Sequence, residues 1–143
     1  MNSVNSTPAP SPGVVIVTGG SRGIGHAISS LLAREGHAVA INYSANAAPA
    51  EELARAITDS GGRALAIRAD ISKPEEIHAL FERASVLGPL TGLVNNAGIT
   101  GAKVRVEDQT AETLDTLFNI NVRATVLASG EAVRRMSTPQ GGR

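Results

Sequence analysis

Apolar positions along the chain fall into two alternating patterns. Short unbroken runs form one: Val14-Val15-Ile16-Val17, Ala38-Val39-Ala40-Ile41, Ala64-Leu65-Ala66-Ile67, and a fourth that starts at Leu90. Runs without polar alternation suit strands buried on both faces of a parallel sheet. Residues at helical spacing form the other: Ile24, Ala27, Ile28, Leu31 and Leu32; then Ala50, Leu53, Ala54 and Ile57; then Ile77, Leu80, Phe81 and Ala84. The pattern predicts strands over 14–18, 38–43, 64–69 and 90–95. It predicts helices over about 23–35 and 111–136, with two more ending before Gly61-Gly62 and opening at Ser72-Lys73-Pro74-Glu75. The last tetrad reads as a capping box, with proline tolerated in the first turn. The inner face of helix 111–136 is expected to carry Leu114, Leu117, Asn121, Thr125, Ala128 and Ala132. Strands alternating with helices argue for right-handed βαβ units and a doubly wound α/β sheet. Such sheets bind ligands at the carboxyl ends of their strands.

One stretch stands at such an end. Thr18-Gly19-Gly20-Ser21-Arg22-Gly23-Ile24-Gly25 joins the first strand to the first helix. Strand, glycine turn and helix together aim backbone N–H groups and a helix N-terminus at a phosphate. Gly19 suits the tight turn, Gly23 a close approach to an anion, and Gly25 close packing of the helix. A plain surface turn is the simpler reading of the same glycines. The spacing is T-G-x-x-x-G-x-G, not G-x-G-x-x-G, because Ile28 stands where a third glycine would. No Lys-Ser or Lys-Thr closes a P-loop.

Composition narrows the choices. The 143 residues suffice for one domain, with zero net charge and therefore no broad basic surface for nucleic acid. Two Phe, one Tyr and no Trp leave no stacking platform for single strands. The absence of cysteine excludes disulfides, thiolate catalysis and Cys-based metal sites. His26, His37 and His78 are far apart and read as surface histidines, so no metal is expected. No apolar run approaches the roughly 18 residues of a membrane span. Residues 1–12 read as a disordered tail without signal-peptide character, and the cytoplasm is the expected compartment.

Four further groups follow strands. Asn42, Tyr43 and Ser44 stand where dinucleotide binders often place an acid on the ribose 2′-hydroxyl. With no carboxylate there and Arg22 in the glycine turn, a 2′-phosphate is favoured, so NADP(H) is expected over NAD(H); the simpler reading of Arg22 is a solvated loop residue. Asp70, followed by Ile71, ends the third strand and can equally cap a helix. Asn95-Asn96-Ala97-Gly98 follows the fourth; two Asn can bond neighbouring strands, or form an Asx-rich turn. Asn121 interrupts an apolar stripe, and a buried Asn bonded to a backbone carbonyl is the ordinary explanation.

In order and on the expected elements, these motifs resemble the short-chain dehydrogenase/reductase family, from about residue 13 to 143. The resemblance implies a Rossmann-like sheet of order 3-2-1-4, with residues 13–143 as a partial NAD(P)-binding domain. It implies cofactor contacts from Thr18, Gly19, Ser21, Arg22, Gly23, Ile24, Gly25, Asn42, Tyr43, Ser44, Asp70, Ile71, Asn96, Ala97 and Gly98. Asp70 would accept a hydrogen bond from adenine, and Asn121 would be the catalytic Asn that holds a relay water. The complete enzyme would move hydride between the nicotinamide and a small carbonyl or alcohol substrate, and its helix at 111–136 would serve a homo-oligomer. The family's catalytic Ser and Tyr-x-x-x-Lys have no match: the single tyrosine is Tyr43, and neither Lys73 nor Lys103 stands four residues after it. The expected function is thus a truncated cofactor-binding half, inactive alone. The alternative is a non-catalytic nucleotide-binding or oligomerisation module that pairs with a full-length homologue. A methyltransferase would want an acid at Asn42 and leaves Asn95–Gly98 unexplained.

Overall fold

The computed structural model describes residues 12–137. The expected tail, apart from Pro12, and the expected turn at 138–142 lie outside the described residues. Strand β1 is Val14–Val17, β2 Ala38–Tyr43, β3 Arg63–Arg68 and β4 Leu90–Val94. Helices are α1 Gly23–Arg34, α2 Ala48–Asp59, α3 Pro74–Ala84, α4 Ala111–Phe118 and α5 Ala124–Met136. The strands form one parallel sheet of order β3-β2-β1-β4. This is a Rossmann-like arrangement, as the alternation of patterns predicts.

The unbroken apolar runs arise because both faces of the sheet are covered. Successive side chains of a strand point to opposite faces. Val14 and Ile16 therefore join Ala38, Ala40 and Ile67 against Ile77, Leu80 and Phe81 of α3 and Ala128 and Ala132 of α5. Val15 and Val17 join Val39 and Ile41 against Ala50, Leu53 and Ile57 of α2, with Ile28 and Leu32 of α1 at the margin. Each buried Ile, Leu or Phe contributes about 1.5–3 kcal/mol to holding the layers together.

Register sets the working edge. Val17 pairs with Ile41 of β2 and with Val94 of β4. The three strands end level, so Thr18, Asn42 and Asn95-Asn96 emerge side by side.

Two expectations need correction. Helix 111–136 is interrupted: Asn119–Arg123 forms a π turn between α4 and α5. An i→i+5 turn rotates the faces on either side of it out of one 3.6-residue register. Leu114 and Asn121 are exposed, whereas Ala128 and Ala132 are buried as expected, joined on α5 by Ala124 and Glu131. The capping box also fails. The N-cap of α3 is Lys73, with no side-chain cap bond, while Pro74 occupies the first turn as expected. Ser72 instead donates its hydroxyl to Asp70 Oδ1 at 2.7 Å.

Candidate functional site

The glycine turn is held from both sides by asparagines. Gly19 takes a left-handed φ of 59°, which glycine adopts without a Cβ clash. Its N–H donates to Asn42 Oδ1 at 3.2 Å, and its carbonyl accepts from Asn96 Nδ2 at 3.0 Å. Asn96 Nδ2 also donates to Thr18 O at 3.0 Å. Thr18 Oγ1 accepts from the backbone N–H groups of Asn96 and Ala97, each at 3.1 Å, and donates to Val94 O at 3.3 Å. Ser29, fully buried on α1, donates to Gly20 O at 3.1 Å. A Cβ on Gly25 would lie 2.5 Å from Asn96 Nδ2 and closer still to Gly19 O. Gly25 therefore lets α1 start directly against the turn.

The donor set suits an anion. Helix α1 begins with Arg22 at the N-cap, in extended backbone, and its first turn contains no acid. Its leading N–H groups lack intrahelical acceptors and carry the positive end of the helix dipole. Arg22, Gly23 and Ile24 are exposed there, and Ser21 is buried beneath them. The leading amides of α1 and the guanidinium together fit the pyrophosphate of a dinucleotide. A groove of about 910 Å³ between α1 and α2 touches this edge only through Ser21 and His26, and lies away from it otherwise.

The remaining predicted residues divide. Asn42 is 2% exposed and its side chain is wholly engaged by backbone, so it does not face a ribose as expected. Strand alternation is the reason: Ile41 faces α2, and Asn42 turns to the opposite side. Tyr43 is half-buried against the α1–α2 side, and Ser44 is exposed just after β2. Asp70 follows β3 with Oδ1 accepting from both the N–H and the hydroxyl of Ser72, at 3.0 and 2.7 Å. The Ser72 hydroxyl leads in holding its carboxyl below the ordinary value; partial burial opposes this, and Lys73 assists. Its neighbour Ile71 packs against the core.

Asn121, in the π turn, is exposed rather than buried, yet both ends of its amide are used. Its Nδ2 donates to Ile99 O at 2.7 Å, and its Oδ1 accepts from Ile99 N–H at 2.8 Å. A Cβ on Gly98 would come within 3.2 Å of that oxygen. The structure thus brings Asn121 to the segment that follows Asn96. Asn95 reaches the same helix through Ser129 Oγ at 3.0 Å.

Ser29, Ile99, Ser129 and Glu76, whose carboxylate accepts from Asp70 N–H at 2.6 Å, were not foreseen from the sequence. Each bonds backbone or a polar side chain across more than a helical turn, and no local spacing announces such a pair. Among the described residues no group of His, Asp and Glu is arranged to hold a metal. No helix there is long and apolar enough to cross a membrane.

Known proteins with this arrangement can now be named. A model of the short chain dehydrogenase family matches residues 13–143. The uncharacterized oxidoreductase YgfF of Escherichia coli is 44% identical over 130 residues, covering 90% of this chain and 53% of that protein. An NADPH-dependent aldehyde reductase-like chloroplastic protein of Arabidopsis thaliana is 37% identical over 155 residues, covering 99% and 57%. A short-chain dehydrogenase/reductase from Serratia marcescens superposes with a TM-score of 0.83 at 42% identity, covering 90% of this chain and 53% of that one. A short chain dehydrogenase from Burkholderia cenocepacia, solved in complex with NADP, gives 0.79 at 41% identity, covering 85% and 49%. The chain belongs to the short-chain dehydrogenase family. It spans about half the length of these relatives.

Proposed function

We propose that residues 1–143 form the cofactor-binding half of an NADP(H)-dependent oxidoreductase acting on a small carbonyl or alcohol. One observation carries the reading: a glycine turn clamped by Asn42 and Asn96 delivers an acid-free helix N-terminus, with Arg22 at its cap, to the carboxyl edge of the sheet. The amides of the turn and of α1 hold the pyrophosphate. Arg22, with Ser44 exposed just after β2, meets the 2′-phosphate. Asp70 has Oδ1 committed to Ser72, and Oδ2, 3.8 Å from the Lys73 ammonium, is the oxygen that would accept from the adenine amino group. The Ala97-Gly98 backbone leaves room for the second ribose. Bound nicotinamide supplies or accepts hydride. Asn121 fixes the Ile99 backbone and, by the family resemblance, would hold the water of a proton relay.

These residues hold no Tyr-x-x-x-Lys to deliver the proton. A positioned general acid contributes roughly 10²–10⁴-fold, and an amide such as Asn121 does not titrate near neutrality. Calorimetric titration of the chain is expected to show NADPH binding more tightly than NADH. NADPH absorbance with ketones, quinones and aldehydes is expected to show no turnover by residues 1–143 until the segment matching the other half of the relatives' length is supplied, in cis or as a co-expressed fragment. Equal affinity for the two cofactors overturns the 2′-phosphate assignment. Turnover unaffected by Gly25→Ala overturns the placement of the site.

A second reading, a non-catalytic module pairing with a longer homologue, is favoured by the exposed Phe118, Val122 and Val126 on α4, the π turn and α5. Titration of cofactor with and without the purified longer homologue separates the two: a partner that is required for binding supports the second.

A further inference from the structure

We propose that Asn42 is a positioning residue: its carboxamide holds the glycine turn in the shape that receives the dinucleotide, without touching the cofactor. The inference rests on the cofactor reading above. Its Oδ1 accepts from Gly19 N–H at 3.2 Å. Its Nδ2 lies 3.3 Å from Tyr43 O, 3.3 Å from Ile67 O and 3.1 Å from Ala69 O. Three carbonyls on one side and an N–H on the other fix which end of the amide is nitrogen. The main chain repeats the link: Gly20 N–H donates to Asn42 O at 2.9 Å, and Ala69 N–H to Tyr43 O at 2.9 Å. One side chain therefore ties the turn after β1 to the ends of β2 and β3. Asn96 holds the opposite side of Gly19 from β4.

No close substitute reproduces this. Leucine of similar size leaves the Gly19 N–H and buried carbonyls without their partner, which is costly in a site this enclosed. An ionised carboxylate would accept from Gly19 but would face three carbonyls with no proton to offer. A protonated carboxyl would restore one donor and keep the acceptor. The Asn42→Asp protein should therefore hold the turn in acid and lose it as the carboxyl ionises. Burial raises that transition above the ordinary carboxylate range.

The test uses the full chain as wild type, Asn42→Leu, Asn42→Asp and Ile77→Ala, the last removing core volume under α3, away from the turn. Calorimetry with NADP⁺ and NAD⁺ is run where each protein is folded. The pH series uses NAD⁺, which carries no 2′-phosphate to titrate near pH ~6. Asn42→Leu should weaken both cofactors alike, by roughly tenfold or more. Asn42→Asp should do the same near pH ~8 and regain affinity near pH ~5, with no such transition in wild type. Ile77→Ala should lose stability and keep both affinities. Wild-type affinity in either Asn42 variant at neutral pH, a loss confined to NADP⁺, or no recovery on acidification overturns the proposal. Should Asn42→Leu fail to fold, the Asn42→Asp series decides. Hydrogen exchange of the wild-type Gly19 amide reads the anchor without cofactor: it should be slower than at exposed Gly23. Free exchange at Gly19 overturns the anchor. A protected Gly19 in a chain that binds neither cofactor supports the anchor and overturns the cofactor reading alone.

Discussion

At the scale of single residues, the glycine turn separates two uses of glycine. Gly25 is needed for space, because any Cβ would press on Gly19 O and Asn96 Nδ2. Gly23 has φ 52° with no protein atom within 4 Å of a built Cβ, so within the protein itself it is needed for its conformation rather than for space. Gly23→Ala is therefore expected to cost about 1–2 kcal/mol and to leave a folded protein. Gly25→Ala is expected to displace the turn, lowering the thermal midpoint further and abolishing cofactor binding. Thermal melts and NADPH titrations of the two variants check this; a harmless Gly25→Ala would contradict it. Arg22 is argued by charge. A charge-assisted hydrogen bond is worth about 1.5–3 kcal/mol, so Arg22→Ala should weaken NADPH roughly ten- to a hundredfold and leave NADH nearly unchanged. Parallel calorimetric titrations decide, and equal losses for both would count against the assignment.

At the scale of elements, the packing of α5 on α3 includes a charge cluster apart from the site. Glu131 is buried on α5, bonded to Arg134 Nη2 at 2.6 Å and Arg135 Nε at 2.9 Å, with His78 Nδ1 of α3 at 3.2 Å. Arg135 also reaches Glu82 of α3 and lies over the Phe81 ring, 5.8 Å from its centroid. Burial pushes the Glu131 carboxyl upward, but the two arginines outweigh it and the net shift is down from 4.5. A depressed carboxylate contributes stability that is fully present above its unfolded value and lost as pH falls through its folded one. Glu131→Gln should therefore destabilise the chain by about 1–3 kcal/mol at neutral pH. The difference from wild type should shrink as pH drops below 4.5, as thermal midpoints across an acid series will show. A constant difference would mean that shape rather than charge is at work.

The same elements show what the sequence made legible. The four strands follow from unbroken apolar runs, and α1 and the glycine turn from helical spacing behind a glycine-rich stretch, because these patterns are local; which face of α1 is buried does not follow, since Ile24 and Leu31 are exposed. The face across α4 and α5 follows only in part: Ala128 and Ala132 are buried as read, but the π turn at Asn119–Arg123 breaks the single period that placed Leu114 and Asn121 beside them. Asn42 was readable as a residue at the right distance from the turn. Its burial was not, because that depends on the Gly19 turn and the Ile67 and Ala69 carbonyls closing around it from other parts of the chain. Asn121 was readable as a polar interruption of an apolar stripe, but its bonds to Ile99 join loop and π turn across 22 positions.

At the scale of the whole molecule, β4 is an edge strand of the described sheet, and an apolar stripe runs along the helices beyond it. Phe118 is 62% exposed, Val122 49%, Val126 65% and Val133 63%. Contiguous exposed apolar surface of a few hundred Å² promotes association. The 143-residue chain should self-associate with rising concentration, and Phe118→Ser with Val126→Ser should shift it toward monomer. Sedimentation velocity at several concentrations reads this directly; a wild-type monomer throughout would contradict it.

The claim that everything else depends on is that the carboxyl edge of this sheet receives a nicotinamide dinucleotide. The most direct measurement is a titration of the ¹⁵N-labelled chain with NADPH, followed by amide chemical shifts. Shifts should concentrate at Gly19–Gly25, with a second set at Ser44 and Asp70-Ile71 and a third at Ala97-Gly98. The amides of α2 that line its groove with α1, at Glu52 and Ala56, should stay still. An unmoved spectrum at saturating NADPH, or shifts confined to that groove, would contradict the account.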